Sequence, residues 1–584
     1  MKQHHLDSIR SAHVARPVRV IAALLTLVVL LGLWGGARTL TTYENRGVVT
    51  TMPPADAPMI PGKAVGVQTF LDKEVDPANI RRTAEMLREG GVTNVRQAFS
   101  WCELEPDGRG VYWDRANNKP SWQKYDQIVD MLVANGIAIT ARLDNAPTWS
   151  RSGQTNDPNS KCQKGPPTDL TAYSDFVRMF TTHYRGRIAA VQIWNEPNLS
   201  EEWGNELNVV QYTDMLKRSY QAAKQGDPDV TVVTAAMAPT KATPPVGISD
   251  LAFYEQMYQA GAKGSFDVLA VNVYGLGEPP TDRRLSADRF NVSRPILVHD
   301  TMTRYGDTTT PVWATEFGYN SLPSGWNGEP SIWGPNVDEQ TQARYLVGGL
   351  TRMKQEWPWM GEIFVWGFRW AEPPGQFGYP PGGPYGRPKP EPGFALVTYD
   401  FTPRPAWNAM RQFARNQTLR TGRTAATDAL IQPGTGWERS GSGASATLAA
   451  STPDATLTVP FTGTDLAVVG TGSMVAVAID GQDRGTQPLA LSANGITHLA
   501  SNLPDGPHTV TLRAADGTVR LGSFLVQRRA PFGWTLPLLT LGVALLGAGA
   551  IGVVIAETLG ACDDALRRNR RRRAAATTES VTAR

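Results

Sequence analysis

The chain is short of the residues that build metal centres and disulfide frameworks. Its 584 residues include only three cysteines and seven histidines, and these do not stand at ligand spacing. A glycine-rich loop with a phosphate-binding lysine after a strand is also missing. The formal net charge is only +3, with much of the positive excess at the termini, which gives no reason to expect a nucleic-acid partner. We therefore expect no cofactor, no metal and no nucleic acid.

Two uncharged apolar runs predict membrane segments near the two ends of the chain. Residues 20–36 follow four basic residues and are interpreted as a transmembrane signal-anchor, with cleavage after this run as the alternative. Residues 534–556 precede the sequence RRNRRRR at 567–573. Because positive residues stay on the cytoplasmic side, residues 1–19 and 557–584 are expected in the cytoplasm. Residues 63–527 are then expected outside the cytoplasm, tethered to the cell membrane.

The cysteines fall on both sides of this predicted membrane. Cys102 and Cys162 lie outside the cytoplasm, where a disulfide can form, and Cys562 lies inside. We predict that Cys102 and Cys162 are bonded, because they follow the neighbouring predicted strands two and three. Pairing cannot be read from sequence alone, so two free thiols stay the alternative.

The extracytoplasmic part begins with a linker and continues with an alternating pattern. Residues 37–61 are polar and contain proline, which predicts the linker, and residues 62–420 alternate short apolar runs with helical patterns. The predicted strands are 64–70, 92–98, 137–143, 189–194, 230–235, 268–273, 312–315 and 363–367. Eight strands with intervening helices predict an α/β fold, a (β/α)₈ TIM barrel, with an open sheet as the alternative.

The composition changes after residue 420, where Gly, Thr, Ala and Ser become frequent. Short β-type runs lie at 455–461, 466–469, 475–479, 508–513 and 521–526. Asp480-Gly481 and Asp516-Gly517 are turn signals between them. Residues 425–528 are therefore predicted to form a small all-β sandwich. Trp437 is its only tryptophan, so a spacer role is at least as well supported as carbohydrate binding.

Two glutamates close predicted strands four and seven. The sequence AVQIWNEPN at 190–198 ends an apolar strand at Glu196, and VWATEFGY at 312–319 ends another at Glu316. The carboxyl ends of barrel strands face the active site, so both carboxylates should meet at one mouth. Glycosidic cleavage needs such a pair, because one group protonates the leaving oxygen while the other attacks or stabilises the anomeric carbon. Either glutamate alone would suit a surface salt bridge, but the matching positions favour a functional pair.

Residues 63–414 resemble the clan of retaining glycosidases whose acid/base and nucleophile close strands four and seven. They are most similar to glycoside hydrolase family 39 and related endoglycanases. WNEPN at 194–198 matches the acid/base signature and TEFG at 315–318 the nucleophile signature. Other matching pieces, in the same order as in the family, are VRQAFSWCELEP, GVYWD, LDNAPTW, FVWGFRW and YDFTPRPAW. The resemblance implies that Glu196 is the acid/base and Glu316 the nucleophile.

The resemblance also implies roles for neighbouring residues. Asn195 would bind the sugar hydroxyl next to the anomeric carbon, and Arg96 would keep the nucleophile ionised, with a surface salt bridge as its alternative. Tyr274 would hold the nucleophile through its hydroxyl. Many clan members have His two residues before that tyrosine, where this chain has Asn272, which puts a substrate contact in doubt. Trp366 would form the platform under the reacting sugar.

Other side chains near predicted strand ends are weaker candidates. Trp101, Trp149 and Trp370 suit flanking sugar subsites and the apolar core equally well, and Trp149 is retained as a substrate-binding candidate. The acidic residues Glu103, Glu105 and Asp144 suit loop structure or substrate hydroxyls better than the chemical step, because both carboxylate roles are already filled.

We therefore expect a retaining hydrolase of O-glycosidic bonds in a cell-surface or exported polysaccharide. It is expected to be endo-acting, cutting β-linkages inside the polysaccharide. One alternative is a non-catalytic carbohydrate-binding or polysaccharide-assembly protein. Another is a transglycosylase, which uses the same covalent intermediate with a sugar as acceptor. The expected partners are the glycan and, through two helices, the membrane; the sequence leaves the oligomeric state open.

Overall fold

The computed structural model describes residues 2–62, 65–151, 162–204, 206–326, 328–370, 389–441, 446–490, 495–529 and 535–582. The chain divides into two compact units. One consists of Met1–Arg46 with Ala530–Arg584, and the other of Gly47–Arg529.

The first part of the larger unit is a closed barrel of eight parallel strands. These are Val65–Thr69 (β1), Asn94–Ser100 (β2), Ala138–Asp144 (β3), Ala190–Ile193 (β4), Thr231–Val233 (β5), Leu269–Tyr274 (β6), Val312–Gly318 (β7) and Met360–Val365 (β8). They pair in chain order, β8 pairs with β1, and a parallel bridge between Val233 and Val268 closes the ring between β5 and β6. The predicted (β/α)₈ barrel is confirmed, and each predicted strand overlaps one of these eight.

Helices follow the strands, and several of them begin at a capping residue. The helices of both units are Lys2–Glu44 (α1), Pro77–Gly90 (α2), Trp101–Leu104 (α3), Gln123–Ala134 (α4), Leu170–His183 (α5), Ser200–Trp203 (α6), Val209–Gly226 (α7), Asp250–Gln259 (α8), Pro295–Arg304 (α9), Glu339–Glu356 (α10), Pro405–Arg415 (α11) and Thr535–Thr582 (α12). Asp76 caps α2, Asp169 caps α5, Asn208 caps α7 and Asp338 caps α10, each accepting a backbone N–H of the first turn. The buried residues of α2, α4, α5 and α7 share one hydrophobic core with the barrel strands.

A small all-β domain follows α11. Its strands are Gly422–Ala425 (β9), Trp437–Ser440 (β10), Thr447–Ala450 (β11), Thr456–Gly463 (β12), Asp465–Ile479 (β13), Gln482–Pro488 (β14), Ile496–Ala500 (β15) and Gly506–Gln527 (β16). Trp437 is buried in its core, only 6% exposed, so its ring offers no open sugar platform.

Two predicted strand breaks in this domain are wrong. The runs 466–469 and 475–479 are one strand, β13, and the runs 508–513 and 521–526 are one strand, β16. The expected turn at Gly517 is instead a bulge in the β13–β16 pair, where the register shifts. Gly517 has φ of 62°, which bends the strand without ending it.

The segment predicted as a linker, residues 37–61, is helical in its first part and lies along other residues in its second. Its first residues continue α1 as far as Glu44. Residues 47–62 lie along the larger unit, where the Val49 N–H donates to the Glu356 carbonyl over 3.2 Å and the Ile60 N–H to the Arg423 carbonyl over 2.9 Å. A polar, proline-bearing composition carries no sign of these backbone contacts.

The smaller unit contains two helices long and apolar enough to cross a membrane, at Pro17–Glu44 and Leu536–Thr577, judged by length and composition. They pack against each other. Arg19 pairs with Glu557 over 3.2 Å, and the Trp34 indole N–H donates to the Thr540 hydroxyl over 3.1 Å. These two contacts fix an antiparallel register for the helix pair.

Candidate active site

The loop that carries Glu196 leaves β4 through an unusual backbone. Trp194 has φ of 74° and Glu196 has φ of 38°, both in the left-handed region that non-glycine residues rarely adopt. Asn198 holds this loop in place, because its side chain accepts the Ala238 N–H over 2.9 Å and donates to the Ala238 carbonyl over 2.9 Å. Such strain persists only where the surroundings enforce it, and it gathers at functional sites.

Glu316 lies inside β7, every residue of which is buried. One carboxylate oxygen, Oε1, accepts from Arg96 Nη1 over 2.7 Å, and the other, Oε2, accepts from the Tyr274 hydroxyl over 2.6 Å. Burial is the main cause that raises the pKa of Tyr274 well above its usual range, so the phenol stays protonated and donates. Both oxygens of Glu316 therefore receive a donor.

Arg96 is fully buried at the centre of this arrangement. Its guanidinium donates to Gln68 Oε1 and Gln192 Oε1, each over 2.7 Å, in addition to Glu316. Its Nη2 donates to Asn195 Oδ1 over 3.0 Å. Because the planar guanidinium has five donors in a fixed fork, it sets the relative positions of all four acceptors.

Glu196 stands in a different environment from Glu316. Its Oε1 accepts from the neutral amide of Asn272 over 2.7 Å, whereas Glu316 is bonded to a guanidinium. Burial, and after it the nearby charge of Glu316, raise the pKa of Glu196 to about 8. At neutral pH the protonated form of Glu196 is thus favoured beside a carboxylate held by Arg96.

An aromatic cluster forms one wall of the site. Trp366 follows β8, is half-buried, and has a cis peptide bond to Gly367. Its ring contacts five others: Phe70, Tyr274, Trp333, Trp370 and Phe394. The contact with Tyr274, with centroids 6.1 Å apart and planes at 87°, joins the cluster to the residues around Glu316. A flat apolar ring beside paired carboxyls suits the apolar face of a sugar.

Trp149 and Trp101 lie together near the loops that follow β2 and β3. Trp101 is fully buried and stacks on Phe176 with centroids 5.5 Å apart, so it belongs to the apolar core and not to a subsite. Trp149 is half-buried, and its indole N–H donates to the Glu105 carbonyl over 2.7 Å. Trp149 thus contacts residues of these loops, Trp101 and Glu105, and is not part of the hydrogen-bonded group around Arg96.

The three further acidic residues have structural partners. Asp144 pairs with Arg142 over 2.7 Å, and Glu103 pairs with Lys124. The Glu105 carboxylate accepts from the Trp101 indole and from a loop N–H. These contacts orient the loops after β2 and β3.

Cys102 and Cys162 form a disulfide, with their Cα atoms 5.1 Å apart. Cys102 lies in α3, directly after β2, and Cys162 lies in the loop after β3. The bond ties these two loops together at the end of the barrel where Glu196 and Glu316 lie.

Sequence reasoning missed several polar residues in the barrel interior. Gln68, Gln192 and Thr315 all join the hydrogen bonds around the two glutamates. A signal for them exists, because Gln68 and Gln192 are polar residues within the mainly apolar strands VGVQT and AVQI. Trp333, which contacts Trp366, comes from a long loop whose pattern does not reveal its position.

Metal binding has no visible donor set in the part of the chain that the structure describes, where no group of three or more His, Cys, Asp or Glu side chains could hold an ion. The polar atoms around Glu196 and Glu316 are bonded to one another instead.

No family model and no curated protein matches the chain. It is similar to a family 39 glycoside hydrolase from the gut symbiont Bacteroides cellulosilyticus WH2, with 18% identity, coverage of 79% of this chain and 82% of that one, and a TM-score of 0.45. It is also similar to the GH39 enzyme from Xanthomonas axonopodis pv. citri, with 15% identity, 80% and 98% coverage, and a TM-score of 0.44. A third similar structure is a GH39 beta-xylosidase from Caulobacter crescentus, with 16% identity, coverage of 80% of this chain and 98% of that one, and a TM-score of 0.42.

Proposed function

We propose that the chain is a retaining glycoside hydrolase, with Glu316 as nucleophile and Glu196 as acid/base. The observation that carries this proposal is the asymmetry of the two carboxyls. Glu316 accepts from the Arg96 guanidinium and the Tyr274 hydroxyl, whereas Glu196 has a raised pKa and accepts from a neutral amide. Two carboxyls whose environments separate their pKa values are what acid/base and nucleophilic roles require.

In the first step, a carboxylate oxygen of Glu316 attacks the anomeric carbon while the proton of Glu196 passes to the leaving oxygen. The glycosidic C–O bond breaks, and a covalent glycosyl-enzyme ester forms on Glu316. In the second step, Glu196, now a carboxylate, takes a proton from water, and the water oxygen replaces the ester. Two displacements retain the anomeric configuration.

The neighbouring residues are proposed to bind the reacting sugar. Asn195, whose Oδ1 is occupied by Arg96, has its amide N–H groups left to donate to the hydroxyl beside the anomeric carbon. Trp366 would lie under the ring, and Trp149 would border a flanking subsite. We further propose β-linkages and cleavage within a polysaccharide chain.

The catalytic unit is proposed to lie outside the cytoplasm, with both termini inside. The antiparallel register supports this, because it puts Arg19 and Glu557 at one end of the helix pair, beside the arginine run at 567–573. Positive residues favour the cytoplasmic side. A tethered hydrolase of this kind would act on a cell-surface or exported polysaccharide.

The test is to give the detergent-solubilised full-length protein a panel of defined β-linked polysaccharides and to follow product sizes and anomeric configuration by NMR. A ladder of sizes with retained configuration is the expected result. Products longer than the substrate would favour transglycosylation, and an inverted first product would overturn the retaining mechanism. A catalytically silent wild-type protein that still binds glycans would favour the non-catalytic alternative.

A further inference from the structure

A continuous series of hydrogen bonds runs through the barrel interior from Arg96 to Glu196. It begins with Arg96 Nε, which donates to Gln192 Oε1 over 2.7 Å. Arginine has no acceptor atom, so this bond fixes which end of the Gln192 amide faces Arg96. The Gln192 Nε2 group then points the other way and donates to the Thr234 carbonyl over 3.2 Å and to Thr315 Oγ1 over 3.5 Å.

Thr315 continues the series, accepting a hydrogen bond from Gln192 and donating one to Asn272. Its hydroxyl oxygen accepts from Gln192, so its single proton is free to donate. The nearer of its two acceptors is Asn272 Oδ1 at 3.1 Å, compared with the Val271 carbonyl at 3.5 Å. This bond fixes the Asn272 amide, whose Nδ2 donates to Glu196 Oε1 over 2.7 Å.

We propose that Gln192, Thr315 and Asn272 are positioning residues that hold a donor against Oε1 of Glu196 and so assign the transferable proton to Oε2. The inference rests on the proposed acid/base role of Glu196. Because Arg96 also binds Glu316, one guanidinium then orients both the nucleophile and, through three neutral side chains, the acid/base.

An asparagine at position 272 can accept a hydrogen bond from Thr315 at one end of its amide and donate one to Glu196 at the other. A neutral amide has a donor and an acceptor at separate ends, and neither titrates between pH 2 and 12, so the contact with Glu196 stays the same across the working range. The charged and titratable groups that face Glu196 come from other elements: Arg96 on β2, Glu202 on α6, Tyr254 on α8, Tyr274 on β6 and Glu316 on β7.

Removing the donor should change Glu196 in a predictable direction. Asn272→Ala leaves Oε1 without its donor, which destabilises the carboxylate, so the pKa of Glu196 should rise further. Thr315→Val removes the hydroxyl that orients Asn272 and should raise it by less. Thr315→Ser keeps the hydroxyl and should behave like the wild type. Thr213→Val makes the same exchange at a buried threonine of α7, away from the site, and is the matched control.

The first readout is the pKa of Glu196 itself, measured in the full-length protein by ¹³C NMR of δ-labelled glutamate. The Glu196 signal is identified as the one that Glu196→Gln removes. A higher pKa in Asn272→Ala and Thr315→Val, with Thr315→Ser and Thr213→Val unchanged, is expected. An unchanged pKa in Asn272→Ala overturns the proposal. Because this readout needs no turnover, it stands even if the wild type cleaves no glycan, which would overturn only the proposed function.

The second readout is the dependence on leaving group. Asn272→Ala should lower kcat about tenfold for aryl glycosides with poor leaving groups, which need the proton, and by less than twofold for those with good ones. The alkaline limb of kcat/KM should move to higher pH. An equal loss for both substrates with an unmoved limb would indicate a merely structural role and overturn the assignment.

Discussion

Arg96 donates a hydrogen bond to Glu316 over 2.7 Å from a position with no exposed surface. A buried guanidinium is costly unless its charge is paired and its N–H groups are satisfied. Glu316 supplies the charge, and Gln68, Gln192 and Asn195 accept the remaining bonds. The contacts that offset the cost of burying Arg96 thus also fix the positions of Glu316 and Asn195 relative to each other.

Arg96→Lys should lower kcat/KM by about a hundredfold or more. Lysine keeps the charge, but its three donors are on one nitrogen at the end of a flexible stem, so it cannot hold Glu316, Gln192 and Asn195 together. Tyr274→Phe removes one hydrogen bond to a carboxylate and should cost about tenfold. Both variants are measured on one aryl glycoside, with thermal unfolding as a check of folding. A larger loss in Tyr274→Phe than in Arg96→Lys would contradict this ranking.

Glu196→Gln should stabilise the fold at high pH and not at low pH. The folded-state pKa of Glu196 is raised to about 8, so the unfolded chain loses this proton first and the stability of the wild type falls as pH rises from about 4.5 through 8. Glutamine has no such proton. Each unit of pKa elevation corresponds to about 1.4 kcal/mol, so the elevation from 4.5 to about 8 should make the free energy of unfolding differ by about 5 kcal/mol at pH 9. Denaturant unfolding at pH 5 and pH 9 measures this, and a difference independent of pH would refute it.

Mass mapping of unreduced peptides should find Cys102 joined to Cys162. The bond closes a loop with a sequence separation of 60, for which chain entropy predicts about 4 kcal/mol of stabilisation. Cys162→Ser should therefore lower the unfolding temperature markedly, while Cys562→Ser, which alters an exposed free cysteine, should not. Alkylated thiols at both Cys102 and Cys162 in untreated protein would contradict the prediction.

Cysteines placed at Trp34 and Thr540 should be joined by a short thiol-reactive bifunctional cross-linker in native membranes, because the Trp34 indole nitrogen and the Thr540 hydroxyl are 3.1 Å apart in the helix pair. The pair Trp34 and Glu557 is the matched control and should not react, since Glu557 lies at the other end, beside Arg19. Cys562→Ser removes the background from the native cysteine in this experiment.

Protease added to spheroplasts of the same strain should digest the barrel and spare the tail. Digestion of the tail alone would reverse the proposed topology.

The sequence predicts the barrel well because its signals are local. Each strand is a short apolar run and several helices begin at a capping residue such as Asp169, so the order of elements can be read along the chain. The glutamates follow, since the carboxyl ends of parallel barrel strands meet at one mouth. The contact between Asn272 and Thr315 could not be read in this way, because it depends on a register shift between β6 and β7 at Val271 and Asn272.

Two other features escape local reading for different reasons. Trp101 and Trp149 stand in similar sequence contexts, and only the packing shows that Trp101 is fully buried. In the β-domain, Asp516-Gly517 carries a turn signal, but pairing of Asp516 with Met474 keeps the strand going as a bulge. In each case a contact between distant segments overrides what the nearby residues favour.

Azide should rescue the alanine variants of the two glutamates with opposite stereochemistry. In Glu316→Ala the nucleophile is gone, so turnover should be abolished on any substrate; azide that enters the vacated space should attack the anomeric carbon directly and give a glycosyl azide of inverted configuration. NMR of the azide product measures the configuration, and the reaction without azide is the control.

Glu196→Ala should behave in the opposite way. Substrates with good leaving groups need no proton, so they should still form the ester on Glu316, which then accumulates because no base activates water. Azide, which needs no base, should release this ester with retained configuration, and the ester should be detectable by mass at Glu316. Retained products from both variants, or a separation near 9 Å between the two carboxyls in place of about 5–5.5 Å, would contradict double displacement, because an inverting enzyme must leave room for water between its carboxyls.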